Sequence, residues 1–103
     1  MEETIKYAGY TFSAYQKYGT TWHNKAGVYM FASLGQNQKW NIYYVGQCDS
    51  FESRLPNHER WEEAQRLGAT HVLAVVLSLK GSRDSLEQSS IADLQPPLNV
   101  HHR

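Results

Sequence analysis

Two tyrosines stand at the outer ends of what the sequence predicts to be a single β-hairpin. Tyr29 closes the triplet GVY that begins at Gly27, and Tyr44 opens the triplet YVG that ends at Gly46. A phenol, with an ordinary pKa of about 10, is a poor base, but a nearby cation can stabilise its phenolate and its hydroxyl can place a water molecule. Aromatic residues are also favoured in strands for packing alone, so the pair matters only if both side chains share one face.

Arg54 and His58 follow the hairpin, four residues apart. A planar guanidinium suits the two nonbridging oxygens of a phosphodiester and supplies positive charge where a phosphorane develops negative charge. The plainer interpretation is a surface arginine paired with Glu52 or Glu59. His58 shares a helical face with Arg54 only if a helix continues through Pro56; otherwise it is expected at the surface.

Glu87 is the acid whose position is most informative. Together with Asp84 it fits a capping arrangement at a helix start. On a helical wheel, however, it lies between Ile91 and Leu94, so its side chain points along the apolar stripe. An inward carboxylate must be protonated, paired or bound to a cation, and Mg²⁺ prefers few carboxylates together with waters and a substrate phosphate.

The composition sets broad limits on what this chain can be. Its 103 residues suffice for one domain with one modest core. Hydrophobic residues make up 41% and charged residues 19%, which indicates a globular chain. No apolar run approaches the roughly 20 residues of a bilayer span. The N-terminus does not resemble a secretory signal and Cys48 is the single cysteine, so a cytoplasmic protein with no membrane contact is expected.

Ten Lys and Arg residues balance ten Asp and Glu residues, so the chain lacks a strong overall positive field. Weak nonspecific affinity for nucleic acid is therefore expected, unless five basic residues gather on one face of the fold. These five are Lys17, Lys25, Lys39, Arg60 and Arg66.

The first half of the chain predicts a short helix followed by the hairpin. Thr11 and Gly19 could bracket the helix, in a segment whose aromatic rings could pack in a core or stack on unpaired bases, packing being favoured. The two strand-like runs of the hairpin flank the loop LGQNQ. A turn centred on Gln36 and Asn37 would place residue 29 opposite residue 44, with both tyrosines on one face.

The second half of the chain alternates helical and strand signals. Asp49 and Glu52 are a capping pair for a helix that Pro56 should end. Asn57 can cap a second helix, which closes at Gly68.

An apolar run over residues 70–79 then predicts a buried strand. Asp84 opens a last helix, which Pro96 and Pro97 stop. The order predicts an α+β fold, in which helices flank a small three-stranded antiparallel or mixed sheet.

The hairpin triplets and the helix that follows resemble the GIY-YIG nuclease family. GVY, from Gly27, is similar to the first family motif, and YVG, from Tyr44, is similar to the second, each with valine in place of isoleucine. Arg54 lies eight residues after Gly46, where the family carries its helix arginine, and His58 lies where several members have a histidine.

The resemblance continues to the end of the chain. Glu87 in SLEQSSIADL resembles the metal-binding glutamate of the family, and Asn99 in QPPLN resembles its closing asparagine. Gln47 is a departure, because some members carry a lysine directly after the second motif. If that lysine lowers a tyrosine pKa or holds a phosphate, another group must do so here.

The resemblance implies a nuclease domain over residues 27–99, after an aromatic-rich extension of residues 1–26 and before a tail of residues 100–103. It implies metal-dependent hydrolysis of nucleic-acid phosphodiesters, with one Mg²⁺ or Mn²⁺ on Glu87. DNA is favoured over RNA as the substrate, and ribonuclease activity stays open. The implied catalytic residues are Tyr29, Tyr44, Arg54, His58 and Glu87, with Gly27, Gly46 and Asn99 in support.

Two further expectations accompany the resemblance. A catalytically inactive module that binds nucleic acid or protein on the same scaffold is the alternative, because a fold does not guarantee a chemistry. A targeting protein partner could deliver the domain to its substrate, since little sequence outside residues 27–99 is left to select one.

Overall fold

Five strands and three α-helices make up the part of the chain that the structure, a computed structural model, describes. That part is residues 3–102, without the side chains of residues 100–102. The elements are β1 (Glu3–Tyr7), β2 (Tyr10–Gln16), β3 (Gly27–Leu34), β4 (Trp40–Cys48), α1 (Phe51–Arg54), α2 (Trp61–Leu67), β5 (His71–Val76) and α3 (Lys80–Leu94), followed by a 3-10 helix (Pro97–His102).

The strands form one antiparallel sheet in the order β1-β2-β5-β3-β4. The predicted α+β class is confirmed, but the predicted count of three strands is wrong, since β1 and β2 extend the sheet beyond β5. The short helix predicted between Thr11 and Gly19 is also wrong. Ala8 and Gly9, at φ 54° and 84°, make a tight turn that pairs β1 with β2, and the aromatic-rich segment favours a strand there.

The two faces of the sheet carry different helices. Alternate strand residues point to opposite faces, so Tyr29 and Phe31 pack with α1 and α2, whereas Met30 and Leu73 pack with α3. Strand β4 is a free edge of the sheet, and the chain's last segment packs beside it.

The hairpin of β3 and β4 pairs in a different register from the predicted one. Tyr29 faces Gly46, and Tyr44 faces Phe31, so the expectation that residue 29 faces residue 44 is wrong. Leu34 pairs with Trp40, which centres the turn on Asn37 and shifts the register by one residue, and a β-bulge after Phe31 shifts it by a second. A shift of two residues preserves the face, so the Tyr29 and Tyr44 rings lie on one side, 6.3 Å apart between centroids.

The starts of the first two helices differ from the predicted ones. Helix α1 begins after Ser50, whose Oγ accepts a hydrogen bond from the Ser53 backbone, and not after Asp49. Helix α2 begins after Arg60 and not after Asn57. It ends at Gly68, as the sequence predicted, in a left-handed conformation that favours glycine (φ 118°).

The last helix starts earlier than predicted. Strand β5 ends at Val76 and α3 begins at Lys80, four residues before Asp84. Glu87 therefore lies about two turns inside the helix, where a capping role is excluded. Leu79 precedes the helix and offers no capping side chain, which explains why the sequence signal was absent.

The described part of the chain ends in the 3-10 helix that follows α3. Residues 100–102 continue the last 3-10 helix, whereas their side chains and Arg103, where a frayed tail was expected, lie outside the described residues. Within residues 3–102, no helix is long and apolar enough to cross a bilayer.

Candidate active site

A cleft of about 660 Å³ lies along the free edge of β4. Tyr44, Glu87 and Asn99 are among the residues that line it. Tyr44 lies on the α1 and α2 face of the sheet and α3 covers the other face, so the cleft wraps around the edge strand. A second depression of about 300 Å³ includes Gln47 and Arg54. Gln47 bonds Glu87, so the two depressions adjoin.

Tyr29 and His58 form a buried hydrogen-bonded pair at the inner end of this region. The Tyr29 hydroxyl lies 2.6 Å from His58 Nε2. The backbone N–H of Arg60 donates to His58 Nδ1 at 3.0 Å, so Nδ1 is an acceptor and the neutral ring carries its proton on Nε2. Nε2–H therefore donates to the Tyr29 oxygen, and the phenolic hydrogen of Tyr29 must point to another acceptor.

His58 reaches this position from a loop and not from a helix. Helix α1 ends at Arg54, so the condition under which His58 would share its face is not met. The expected consequence, a surface histidine, is nevertheless wrong, because the His58 side chain is 0% exposed. Its ring contacts Tyr29, Phe31 and Tyr44 edge-on. The loop between α1 and α2 thus places an imidazole beneath both tyrosines.

Burial keeps the aromatic groups of the site neutral at pH 7. Burial, followed by the positive charge of Arg54, lowers the pKa of His58 from 6.5 to about 4. Burial raises the pKa of Tyr29 well above its ordinary value, and raises the pKa of Tyr44 as well, while Arg54 opposes both shifts. Both phenols are therefore hydrogen-bond donors unless another cation joins Arg54.

The depressed pKa of His58 predicts an acid-dependent stability. Between pH 6.5 and pH 4 the unfolded chain binds a proton on His58 that the folded chain excludes. The free energy of unfolding should fall by about 3 kcal/mol as the pH is lowered through this window. Urea unfolding of the wild type and of His58→Gln, at several pH values, measures the difference.

The control for this prediction is the same substitution at an exposed histidine, His23→Gln, which measures the effect of losing an imidazole that is not buried. Glu59 titrates in a lower window. Hydrogen bonds from Arg54 lower its pKa from 4.5 to about 2. The contribution of the Glu59 carboxylate to the free energy of unfolding is therefore present above pH 4.5 and is lost as the pH falls toward 2. Equal pH slopes for wild type and His58→Gln would contradict a neutral buried histidine.

Arg54 is engaged by Glu59 in this structure. Its Nη1 and Nη2 donate to the two Glu59 carboxylate oxygens at 2.7 and 2.9 Å. Of the two partners that the sequence allowed, Glu52 and Glu59, the structure selects Glu59. The guanidinium side chain is 36% exposed and that of Glu59 is 65% exposed. An anion could therefore replace the carboxylate on the same fork of donors.

The two motif glycines make room for Tyr29 and for α1. A Cβ atom on Gly46 would lie 2.5 Å from the Tyr29 hydroxyl oxygen. A Cβ atom on Gly27 would lie 2.1 Å from the carbonyl oxygen of Val75 and 2.4 Å from the ring of Phe51. Only glycine fits at either position without movement of a neighbour. The supporting role implied for both glycines is thus a matter of space.

Glu87 offers a carboxylate that a small hard cation could use. Gln47 Nε2 donates to Glu87 Oε1 at 3.0 Å and to Asp84 Oδ1 at 2.5 Å. Among the described residues, Glu87 Oε2 accepts no hydrogen bond, and no group of three or more His, Cys, Asp or Glu residues could enclose a metal. One carboxylate beside an open cleft fits Mg²⁺ or Mn²⁺, with waters and a phosphate completing the coordination.

Asn99 closes the free edge of β4. Its Oδ1 accepts from the backbone N–H of Val45 at 2.9 Å, and its Nδ2 donates to the Val45 carbonyl at 3.0 Å. The amide is 1% exposed and imitates a paired strand at one position. Both polar atoms of the Asn99 side chain thus bond the backbone of Val45, which lies between Tyr44 and Gly46. Asn99 therefore supports the strand that carries Tyr44.

Replacement of Asn99 by alanine should destabilise the fold. The change leaves the buried N–H and C=O of Val45 without partners, which corresponds to about 1–3 kcal/mol of the free energy of unfolding. Urea denaturation checks this value. Asn57→Ala, a change at an exposed asparagine, should alter stability by less than about 0.5 kcal/mol. Equal effects of the two substitutions would show that the Asn99 amide contributes nothing specific.

The five basic residues considered for a nucleic-acid face do not all lie on one face of the sheet. Arg60 pairs with Glu63 and Arg66 pairs with Glu62. Lys39 lines a groove on the α3 face, whereas Lys25 lines a depression on the opposite face.

Lys17 lies against Trp61, the first residue of α2, which follows Arg60 in the chain. Its Nζ lies 5.2 and 5.4 Å from the ring centroids of Tyr18 and Trp61. Of the N-terminal aromatics, Tyr15 and Trp22 pack against the core, as the favoured interpretation predicted.

The sequence did not single out Arg83, and it left the partner of Arg54 undecided. Arg83 is 4% exposed and contacts Gln47. Its spacing of four residues from Glu87 places the two side chains on one helical face, but only if the helix starts before Asp84. Glu59 was considered as one of two partners of Arg54, and nothing in the spacing chose between them.

No protein-family model, no curated protein and no solved structure matches this chain. The candidate site is therefore defined by its own residues. Tyr44, Glu87 and Asn99 line one cleft, Tyr29 and His58 lie beneath Tyr44, and Arg54 lies in the adjoining depression.

Proposed function

We propose that this chain is a divalent-metal-dependent endonuclease of the GIY-YIG type. The observation that carries the proposal is the meeting of five chain segments at one edge strand: β3 and β4, α1, the loop after α1, and α3. They bring together two phenols, an imidazole, a guanidinium and a carboxylate. This set of groups matches the needs of in-line phosphodiester hydrolysis: an anion clamp, a water-orienting group and a metal ligand.

Each residue then has a distinct part in the proposed reaction. Glu87 holds Mg²⁺ or Mn²⁺, which when bound supplies Lewis-acid stabilisation of the phosphate and of the departing 3′ oxygen. Arg54 exchanges Glu59 for the nonbridging oxygens of the phosphate. Tyr29, whose oxygen already accepts from His58, directs its own hydrogen at the attacking water. Tyr44 forms the wall of the cleft.

The exchange at Arg54 makes Glu59 a competitor of the substrate. Glu59→Gln should tighten binding of a DNA duplex about two- to fivefold at low salt, the range expected for an exposed ion pair. Fluorescence anisotropy in chelator, where no cleavage is proposed, measures the dissociation constant. Glu62→Gln removes the same charge from the Glu62–Arg66 pair. Equal tightening by both variants would indicate a general charge effect.

DNA is the proposed substrate in preference to RNA. The balanced charge of the chain favours delivery by a partner protein or recognition of nucleic-acid structure.

The alternative function is that of a noncatalytic binding module. One observation favours it: the guanidinium that would clamp the phosphate is already held by Glu59.

One cleavage experiment tests the proposal. Plasmid, branched DNA and RNA are incubated with the wild type in Mg²⁺, in Mn²⁺ and in chelator. The expected result is metal-dependent cleavage of DNA that leaves 5′-phosphate and 3′-hydroxyl ends. Tight binding without cleavage of any substrate would instead support the noncatalytic module. Cleavage that persists in chelator would contradict the metal site.

A further inference from the structure

Arg83 is a buried guanidinium whose hydrogen bonds fix it in place. Its Nη1 donates to the carbonyl oxygens of Leu77 and Ser78 at 3.1 and 2.7 Å, and its Nη2 donates to Asp49 Oδ1 at 3.0 Å. Its Nε donates to Gln47 Oε1 at 3.2 Å. These contacts join the end of β4 to the start of α3, so the guanidinium has little freedom to rotate.

The bond from Arg83 decides which way the Gln47 amide faces. A primary amide has an acceptor end and a donor end, and Arg83 can only donate. Gln47 Oε1 must therefore face Arg83, and Gln47 Nε2 must face the carboxylates of α3. There it donates to Glu87 Oε1. The reverse orientation would place a carbonyl oxygen against a carboxylate and leave the Arg83 Nε–H without its acceptor.

The amide also separates two groups that could otherwise pair. Arg83 and Glu87 lie four residues apart on α3, the spacing of a direct salt bridge, yet the contacts of Arg83 are with Gln47, Asp49 and two carbonyls. A direct pair would cover the carboxylate with a cation. The amide covers one oxygen with a neutral donor, and Glu87 Oε2 accepts no hydrogen bond among the described residues.

We propose that Arg83 is a positioning residue for the divalent ion, acting through Gln47 to hold the Glu87 carboxylate with one oxygen turned to the metal. This inference rests on the proposed function, because it requires an ion on Glu87. Some members of the resembled family carry lysine at the position of Gln47. In this chain the positive charge is supplied by Arg83, which donates a hydrogen bond to Gln47.

Titration with Mg²⁺ alone, followed by backbone and side-chain amide chemical shifts, tests the inference without any reaction. Gln47→Leu should weaken Mg²⁺ binding about tenfold or more, as loss of a group that orients a ligand does. Arg83→Met should weaken it similarly. Removal of a positive charge alone would tighten cation binding, so the sign distinguishes positioning from simple repulsion. Gln88→Leu, on the same wall of the cleft, should change the affinity less than twofold.

The double variant separates positioning from a structural effect. In the Gln47→Leu background, Arg83→Met should weaken Mg²⁺ binding no further, while its effect on urea unfolding remains. Additive losses of affinity would overturn the inference, as would unchanged or tighter binding in folded Arg83→Met. If Arg83→Met does not fold, Arg83→Lys retains the charge and the long stem but loses the Nε donor, and the same weakening is expected.

The variant Glu87→Gln tests the metal site of the proposed function separately from the positioning role of Arg83. If wild type and Glu87→Gln bind Mg²⁺ equally, the metal site on Glu87 fails and the inference fails with it. If Glu87→Gln loses binding but Gln47→Leu and Arg83→Met do not, the metal site stands and the positioning role is overturned.

Discussion

Glu87→Gln is expected to lower the rate of metal-dependent DNA cleavage by at least about 10³-fold, with the fold intact. The ion is proposed to supply several kcal/mol of stabilisation to the transition state, and about 1.4 kcal/mol corresponds to a factor of ten in rate. Glutamine retains the shape of the side chain and can still meet Gln47, so packing of α3 changes little. Single-turnover cleavage at saturating Mg²⁺ measures the loss, and circular dichroism with urea unfolding measures the fold.

The matched control for Glu87 is another acid of the same helix. Asp93 accepts a hydrogen bond from Tyr7 at the far end of α3, and Asp93→Asn should leave the cleavage rate within about twofold. If Glu87→Gln retains more than a tenth of the wild-type rate in Mg²⁺, another group must hold the metal.

Arg54→Lys is expected to lower the cleavage rate by about 10²- to 10³-fold, the range for loss of one preorganised donor to a developing negative charge. Lysine keeps the charge but loses the planar fork that now contacts both Glu59 oxygens. Because the effect is assigned to the transition state, kcat and kcat/KM should fall together while the dissociation constant for DNA changes little.

Arg60 provides the control for Arg54. It lies at the other end of the loop that follows Arg54 and pairs with Glu63. The positive charges of both arginines lower the pKa of His58. Arg60→Lys should reduce the rate by less than about threefold. A variant Arg54→Lys that loses DNA affinity but keeps kcat would make Arg54 an anchor for the substrate and not a participant in the chemistry.

The sequence could predict that the two tyrosines share a face, although it could not predict their register. A shift of two residues in the pairing of an antiparallel hairpin leaves each side chain on the same face of the sheet. The turn centred on Asn37 and the bulge after Phe31 together made such a shift. A β-bulge depends on how both strands pack, and the local sequence of β4 does not specify it.

Glu87 shows where the prediction of helix ends failed. The helical wheel predicted an inward side chain, and the structure places Glu87 beside the cleft and against Gln47. The capping signal at Asp84 suggested too late a start, because α3 begins after Leu79 without a capping side chain. Because the predicted start was too late, Arg83 lay outside the predicted helix. Its spacing of four residues from Glu87 therefore did not predict that the two residues share a helical face.

The sheet's outer strands and the position of His58 depend on tertiary contacts. Strand β2 is held between β1 and β5, and β5 lies more than fifty residues farther along the chain, a pairing that no local window contains. His58 is buried because the loop after α1 folds back over Tyr29 and Phe31. Without that knowledge, a histidine after Pro56 was reasonably expected at the surface.

The proposed reaction depends on a divalent ion held by Glu87 in the cleft beside Tyr44. Paramagnetic broadening of backbone amide signals by Mn²⁺ locates such an ion directly, even when binding is weak. The signals of Tyr44, Gln47 and Glu87 should broaden first, and this broadening should disappear in Glu87→Gln. Broadening centred on the exposed acids of α2, such as Glu62, with Glu87 unaffected, would contradict it.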